Sequence, residues 1–240
     1  MKRATFPAFG TLSKTQYKAL IAWGMGLNKK PMKTYTKQIE KPRLVIAHDE
    51  YSASPRRDGG NVGYFFTKES RHISPDGTTH ALYQIMVETG DEAKDLKQHI
   101  ALIKARAAAA FKESAPKDGN SHDEELHVIE IHPVYRYEHG NVVYKRGIGK
   151  GFDYSNCGFY IVTAQSISGR TMTAESIAKA IDAELAQYTQ WANGEVYRFT
   201  VYDKDGEEED SCGGYYALED MREALGDEWK NEKLEDYIKN

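Results

Sequence analysis

The sequence predicts an α+β fold, a largely antiparallel sheet with helices packed on it. Three observations lead there. Strand-like runs are joined by short hairpin turns, and segments of helical periodicity are inserted between them. The chain also carries 16 tyrosines, a residue type that favours strands and half-buried surfaces. With 240 residues, 40% apolar and 28% charged, it is long enough for one sizeable core and too apolar for wholesale disorder.

The elements follow in order. Residues 44–47 read as a buried strand, and residues 62–67 as a second one with Phe65 and Phe66 on opposite faces. Ser74-Pro75-Asp76-Gly77 is a turn. Residues 79–88 are apolar and fit helix or strand; they are read as helix. Residues 91–114 read as a helix, with Asp91, Glu92 and Asp95 in its first turns and Leu96, Ile100, Ile103 and Ala107 at helical spacing. After a polar loop at 115–125, strands at 126–137 and 142–145 flank a turn at 138–141, and residues 159–165 form the next strand. Residues 173–191 make an amphipathic helix, capped by Thr173, stopped by Gly194, with Ile177, Ile181, Leu185 and Tyr188 on one face. Strands at 195–202 and 211–216 follow around a turn at Asp205-Gly206, and residues 217–238 end the chain as one or two acidic helices.

Charge divides the chain. Residues 1–43 hold ten Lys and Arg against Glu40 alone, whereas residues 201–240 hold fourteen acids against five bases. The expected organisation is a basic N-terminal extension over 1–43 and a single α+β domain over 44–240 with an acidic helical end. The two ends attract one another or are simply solvated. Alternatively, the basic arm touches an anionic partner such as nucleic acid, or the acidic end engages a basic one. The two cysteines, Cys157 and Cys212, show no metal-ligand spacing. No apolar run reaches membrane-spanning length, so a cytoplasmic protein is expected, without cofactor or metal.

Residues 49–63, Asp-Glu-Tyr-Ser-Ala-Ser-Pro-Arg followed by Asp58, Asn61 and Gly63, resemble a family of small bacteriophage-encoded proteins of unknown function. The likeness continues at residues 133–140, at Asp153 with Gly158-Phe159-Tyr160-Ile161-Val162, at residues 193–197, and at the closing Asp210-Ser211-Cys212 hairpin. It covers roughly residues 45–217. The chain departs from the family where Arg57-Asp58-Gly59-Gly60 replaces an aromatic-acid pair, and where Gly213 replaces a Trp. The resemblance implies a phage origin and an accessory role; host takeover or anti-defence is the role expected beyond it.

The candidate working surface is the 49–63 loop, with Ser54, Arg56, Asp58, Asn61 and Gly63 as binding residues. Ser-Pro-Arg would stiffen the backbone and present a guanidinium suited to a carboxylate or phosphate, unless Asp49 or Asp58 pairs with Arg56 and pins the loop. If the protein is an enzyme, Asp49, His139, Asp153 and Asp210 form a candidate His/carboxylate set for a divalent metal, and Cys212 a candidate nucleophile with His139 as base. Gly147-Ile148-Gly149-Lys150-Gly151 is glycine-rich, but no helix follows it, so it fits neither a dinucleotide nor a P-loop context. The expected function is non-enzymatic: a phage-encoded accessory protein that binds and modulates a host protein, with nucleic acid as a second partner class through residues 1–43. The alternative is a metal-dependent hydrolase acting on nucleic acid or nucleotide.

Overall fold

The structure, a computed structural model, describes residues 43–57, 59–68, 74–114 and 124–239. The basic extension apart from Arg43, Asp58, and most of the 115–125 loop lie outside them. The described elements run β1 (Leu44–His48), β2 (Tyr64–Thr67), α1 (Ala81–Glu92), α2 (Leu96–Glu113), β3 (Val128–His139), β4 (Asn141–Arg146), β5 (Tyr154–Thr163), α3 (Ala174–Ala192), β6 (Tyr197–Tyr202), β7 (Glu208–Tyr215) and α4 (Leu218–Leu225). Two 3-10 turns, Asp227–Trp229 and Leu234–Tyr237, complete the acidic end. The strands form two antiparallel sheets, β2-β5-β3-β4 and β1-β6-β7. The fold is α+β.

Side-chain alternation gives the larger sheet two buried faces. Phe65, Val134, Tyr144, Tyr160 and Val162 point to α3, where Ile177, Ile181, Leu185 and Tyr188 meet them at helical spacing. Phe66, Ile131, Phe159 and Ile161 point the other way, to Leu82 and Met86 of α1 and Ile103 and Ala107 of α2. The adjacent phenylalanines of β2 thus serve opposite layers, as their positions in sequence predict. Thr173 caps α3 in a reciprocal box with Ser176, and Gly194, at φ 71°, ends it.

Two boundaries differ most from the sequence reading. The break between the two expected helices falls at 93–95 and not at 89–90, because Ala93 turns extended and Asp95 starts the second helix by accepting the Gln98 N–H at 2.7 Å. The Gln98 side chain in turn accepts the Lys94 N–H. Asp91 and Glu92 therefore close α1 and do not open α2. Strand β5 begins at Tyr154, five residues before the expected 159. Its polar first half pairs with β3 across a bulge, and Gly158 lets β2 approach so closely that a Cβ would collide with Phe66 O and Thr67 Cα.

In the smaller sheet, Leu44, Ile46, Phe199 and Val201 pack on Met221 of α4 and on Trp229 and Leu234 of the 3-10 turns. Arg43 ion-pairs with Glu228 and lies over the Trp229 ring. The acidic end is thereby part of a core.

Three of the four sheet edges are closed by other parts of the chain. On β4, Val142 N–H and C=O bond the Asn193 side chain, and Tyr144 N–H bonds Thr189 Oγ1 of α3. On β2, Phe65 N–H donates to Asp76 at 2.5 Å and Thr67 N–H to Ser74 Oγ at 3.2 Å. On β1, Ile46 bridges Ile238, and Ile46 C=O accepts the Lys239 N–H. Unpaired edges template aggregation, so closing them with side chains protects the fold. The edge of β7 has no such cover among the described residues, and Glu208 through Gly214 are all exposed.

Replacing Gly158 with Ala should cost at least about 3 kcal/mol, because the new methyl meets backbone that cannot yield. Urea denaturation would measure it, and a cost within roughly 0.5 kcal/mol would contradict the close approach. A second expectation concerns alkali. Burial pushes the Tyr188 hydroxyl up to about 12, and burial pushes Tyr144 and Tyr160 higher still. Between pH 10 and 12 the unfolded chain releases protons that the folded chain retains, so stability is full below pH 10 and falls as pH rises through that window. Tyrosinate absorbance should show these three ionising only as far-ultraviolet circular dichroism collapses. All sixteen titrating as one class on an intact fold would refute it.

Candidate functional site

Ser54 shapes the turn that aims Arg56. Its hydroxyl accepts the Arg56 N–H at 3.3 Å, and its carbonyl accepts the Arg57 N–H at 2.9 Å. Pro55 and Arg56 are both buried. The Arg56 side chain, 2% exposed, points inward, and each of its N–H groups finds an acceptor. Nε and Nη2 fork onto Asp76 at 3.1 and 2.6 Å. Nη1 reaches Glu184 at 2.7 Å and Asn61 Oδ1 at 3.0 Å, and Nη2 also reaches Gly63 O at 2.6 Å.

One cation and two carboxylates leave a surplus negative charge, which neutral donors share. Glu184 receives the Tyr160 hydroxyl and the Val62 N–H, and Asp76 receives the Phe65 N–H. Burial works against the Arg56 charge, but Tyr160 and the hydrogen-bonded Asp76 outweigh it and hold its pKa above the ordinary value. Burial, with Glu184 alongside, likewise keeps the Tyr160 hydroxyl protonated against the opposing pull of Arg56. Gly63 fits because a Cβ there would lie 2.7 Å from the Tyr160 ring. A cleft of about 370 Å³ opens above this node, lined by Gly59, Gly60, Ser166 and Arg170. Arg56 forms its floor with no donor left for a ligand.

The loop is therefore pinned, as the second sequence reading allowed, but by Asp76 and Glu184 and not by Asp49. Asp49 serves the smaller sheet: its carboxylate accepts the Gly214 N–H at 3.0 Å and the Tyr51 N–H at 3.3 Å. Asp58 lies outside the described residues.

The other candidates are spread over two sheets. His139 is exposed at the β3–β4 hairpin, with Nδ1 3.9 Å from Asp153. Asp210 and Cys212 are exposed on β7, opposite Val201 and Phe199. Among the described residues no three His, Cys, Asp or Glu side chains come together to hold a metal. No described helix is long and apolar enough to cross a membrane.

A surface that the sequence reading passed over lies on the β4–β5 loop. Gly147 and Gly151 have φ of 122° and 128°, and Gly149 packs so tightly that a Cβ would sit 2.9 Å from Tyr154 and 3.0 Å from Tyr135. The Gly149 N–H donates to Asn156 Oδ1 at 3.0 Å. The folded loop displays Phe152, fully exposed, and Ile148, 55% exposed, beside Tyr154, whose ring lies 4.9 Å from that of Tyr137. No family profile, curated protein or solved structure matches this chain. What the site does must be argued from its own geometry.

The signals for the missed residues were present. Glu184 falls on the apolar face of α3 at the spacing 177–181–184–188, where an acid needs a partner. In the 147–152 stretch, Ile148, Lys150 and Phe152 alternate with glycines in a turn that offers the two apolar side chains no cover. Arg56→Ala should cost about 3–5 kcal/mol by leaving two partly buried carboxylates without their cation. Arg56→Lys should recover only part of that, since an ammonium cannot fork onto Asp76 while reaching Gly63. Chemical denaturation decides it, and a loss below about 1 kcal/mol for Arg56→Ala would mean that the network contributes little.

Proposed function

We propose that this protein works by binding another protein, as a phage-encoded accessory factor that holds and modulates a host protein, with no chemical step of its own. The observation that carries the reading is the β4–β5 loop. Burying a phenylalanine side chain is worth about 1.5–3 kcal/mol, a gain that Phe152 leaves unrealised in the free chain. Exposed apolar residues grouped with aromatics mark interaction surfaces, and aromatic anchors dominate binding energy. The loop is also pre-formed by its glycine contacts and the Asn156 hydrogen bond, so docking would lose little conformational entropy. The resemblance to phage-encoded proteins supplies the setting, a host protein as the target.

The test is a pull-down from bacterial lysate using the tagged chain beside a Phe152→Ser/Ile148→Ser double variant. One host protein should be retained by the parent and reduced at least tenfold on the variant, with circular dichroism and thermal midpoint unchanged. Equal recovery on both, or nothing above background on either, would sink the reading.

A further inference from the structure

We propose that the outer edge of β7 takes up an extended, Lys/Arg-rich segment of a partner protein as a fourth strand of the smaller sheet. The inference rests on the binding reading above but uses a different surface, away from the Phe152 loop.

Backbone direction shows that, among the described residues, the edge is open. Tyr202 N–H donates to Arg43 O, and Val196 O accepts the Asp49 N–H, so the even-numbered residues of β6 face the β1 side. The odd-numbered residues, Phe199 and Val201, then face β7, where they stand opposite Cys212 and Asp210. Ser211, between those two, turns its N–H and C=O outward. The Ser211 hydroxyl bonds the Glu208 side chain, and among the described residues no group meets that outward backbone. At the far end the Gly214 N–H is occupied by Asp49, so the open stretch runs over residues 208–213. The contrast with the other three edges is physical: there, side chains or the C-terminal segment fill the outward donors and acceptors.

Charge selects the occupant. Asp203, Asp205, Glu207, Glu208, Glu209 and Asp210 line the β6–β7 hairpin and its outer strand, with Lys204 as the single base. Among the described residues none of these carboxylates is in an ion pair. A second copy of β7 would set acid against acid, whereas a basic strand gains both the ladder and the charge. Strand addition takes its affinity from main-chain bonds and its specificity from alternate side chains, a fit to Lys or Arg at every second position.

The experiment uses the full chain and a fluorescein-labelled peptide of alternating Lys and Val as long as β7, followed by anisotropy. Saturable binding should weaken as salt rises. Ser211→Pro should reduce affinity at least tenfold with the circular dichroism unchanged, since proline is tolerated where an edge N–H faces solvent. Glu208→Lys with Asp210→Lys should do the same. On the unaltered protein, a peptide N-methylated at alternate residues should lose binding, which keeps the test valid if a variant misfolds. Three results would overturn the proposal. One is no saturable binding, or binding indifferent to both Ser211→Pro and N-methylation. Another is a parent chain that dimerises and becomes monomeric with Ser211→Pro, which gives the edge to a second copy. The last is tighter binding of a peptide of residues 28–43, which gives it to the chain's own basic segment. None of these outcomes depends on the Phe152 variants, so the two readings fail separately.

Discussion

A guanidinium with almost no exposed surface must be paired within the protein, because an uncompensated buried charge costs several kcal/mol. Arg56 meets that demand by drawing five groups from four places: Asn61 and Gly63 of its own loop, Asp76 of the 74–77 turn, Tyr160 of β5 and Glu184 of α3. The two carboxylates then do a second job. Asp76 closes the β2 edge through the Phe65 N–H, and Glu184 holds the Val62 N–H at the entry to β2. The long connection between the two sheets is fixed at the point where it enters the larger one. Apolar contacts alone would hold α3 on the sheet, but they would not specify where this loop must lie.

The same economy governs the sheet edges. Asn193 ends α3 and, with the same side chain, satisfies both backbone groups of Val142. Thr189, one turn earlier, accepts the Tyr144 N–H. The helix therefore completes β4 as a neighbouring strand would, and a single element supplies both the apolar cover of one face and the polar cover of its rim.

Local pattern made part of this legible. The helix from 174 was plain because its apolar period is unbroken and Thr173-x-x-Ser176 marks its start. Phe65 and Phe66 announced a strand buried on both sides. The place of the break between the two helices, at 93–95, was hidden because the composition stays helical throughout and only Asp95 with Gln98 signals it. The early start of β5 was hidden because Tyr154-Ser155-Asn156 reads as loop until a bulge accommodates it. A single sheet was the simplest reading of the strand runs. The separation into two arises because β6 pairs with β1, far earlier in the chain, a choice no local window contains. Arg56 could be picked out as unusual, but its partners Asp76 and Glu184 lie 20 and 128 residues away. Charge pairing at such separation is fixed by topology, so sequence reading placed the guanidinium at the surface when it lies beneath it.

Closing three edges out of four also sets a stoichiometry. A sheet with two open sides can add strands at both and run on without limit, which is the geometry of fibres. Here the larger sheet is sealed at β2 and β4, and the smaller is sealed at β1 by Ile238 and Lys239. Among the described residues the one uncovered edge lies on one side of one sheet, so strand addition as proposed would be monovalent, ending at one partner per chain.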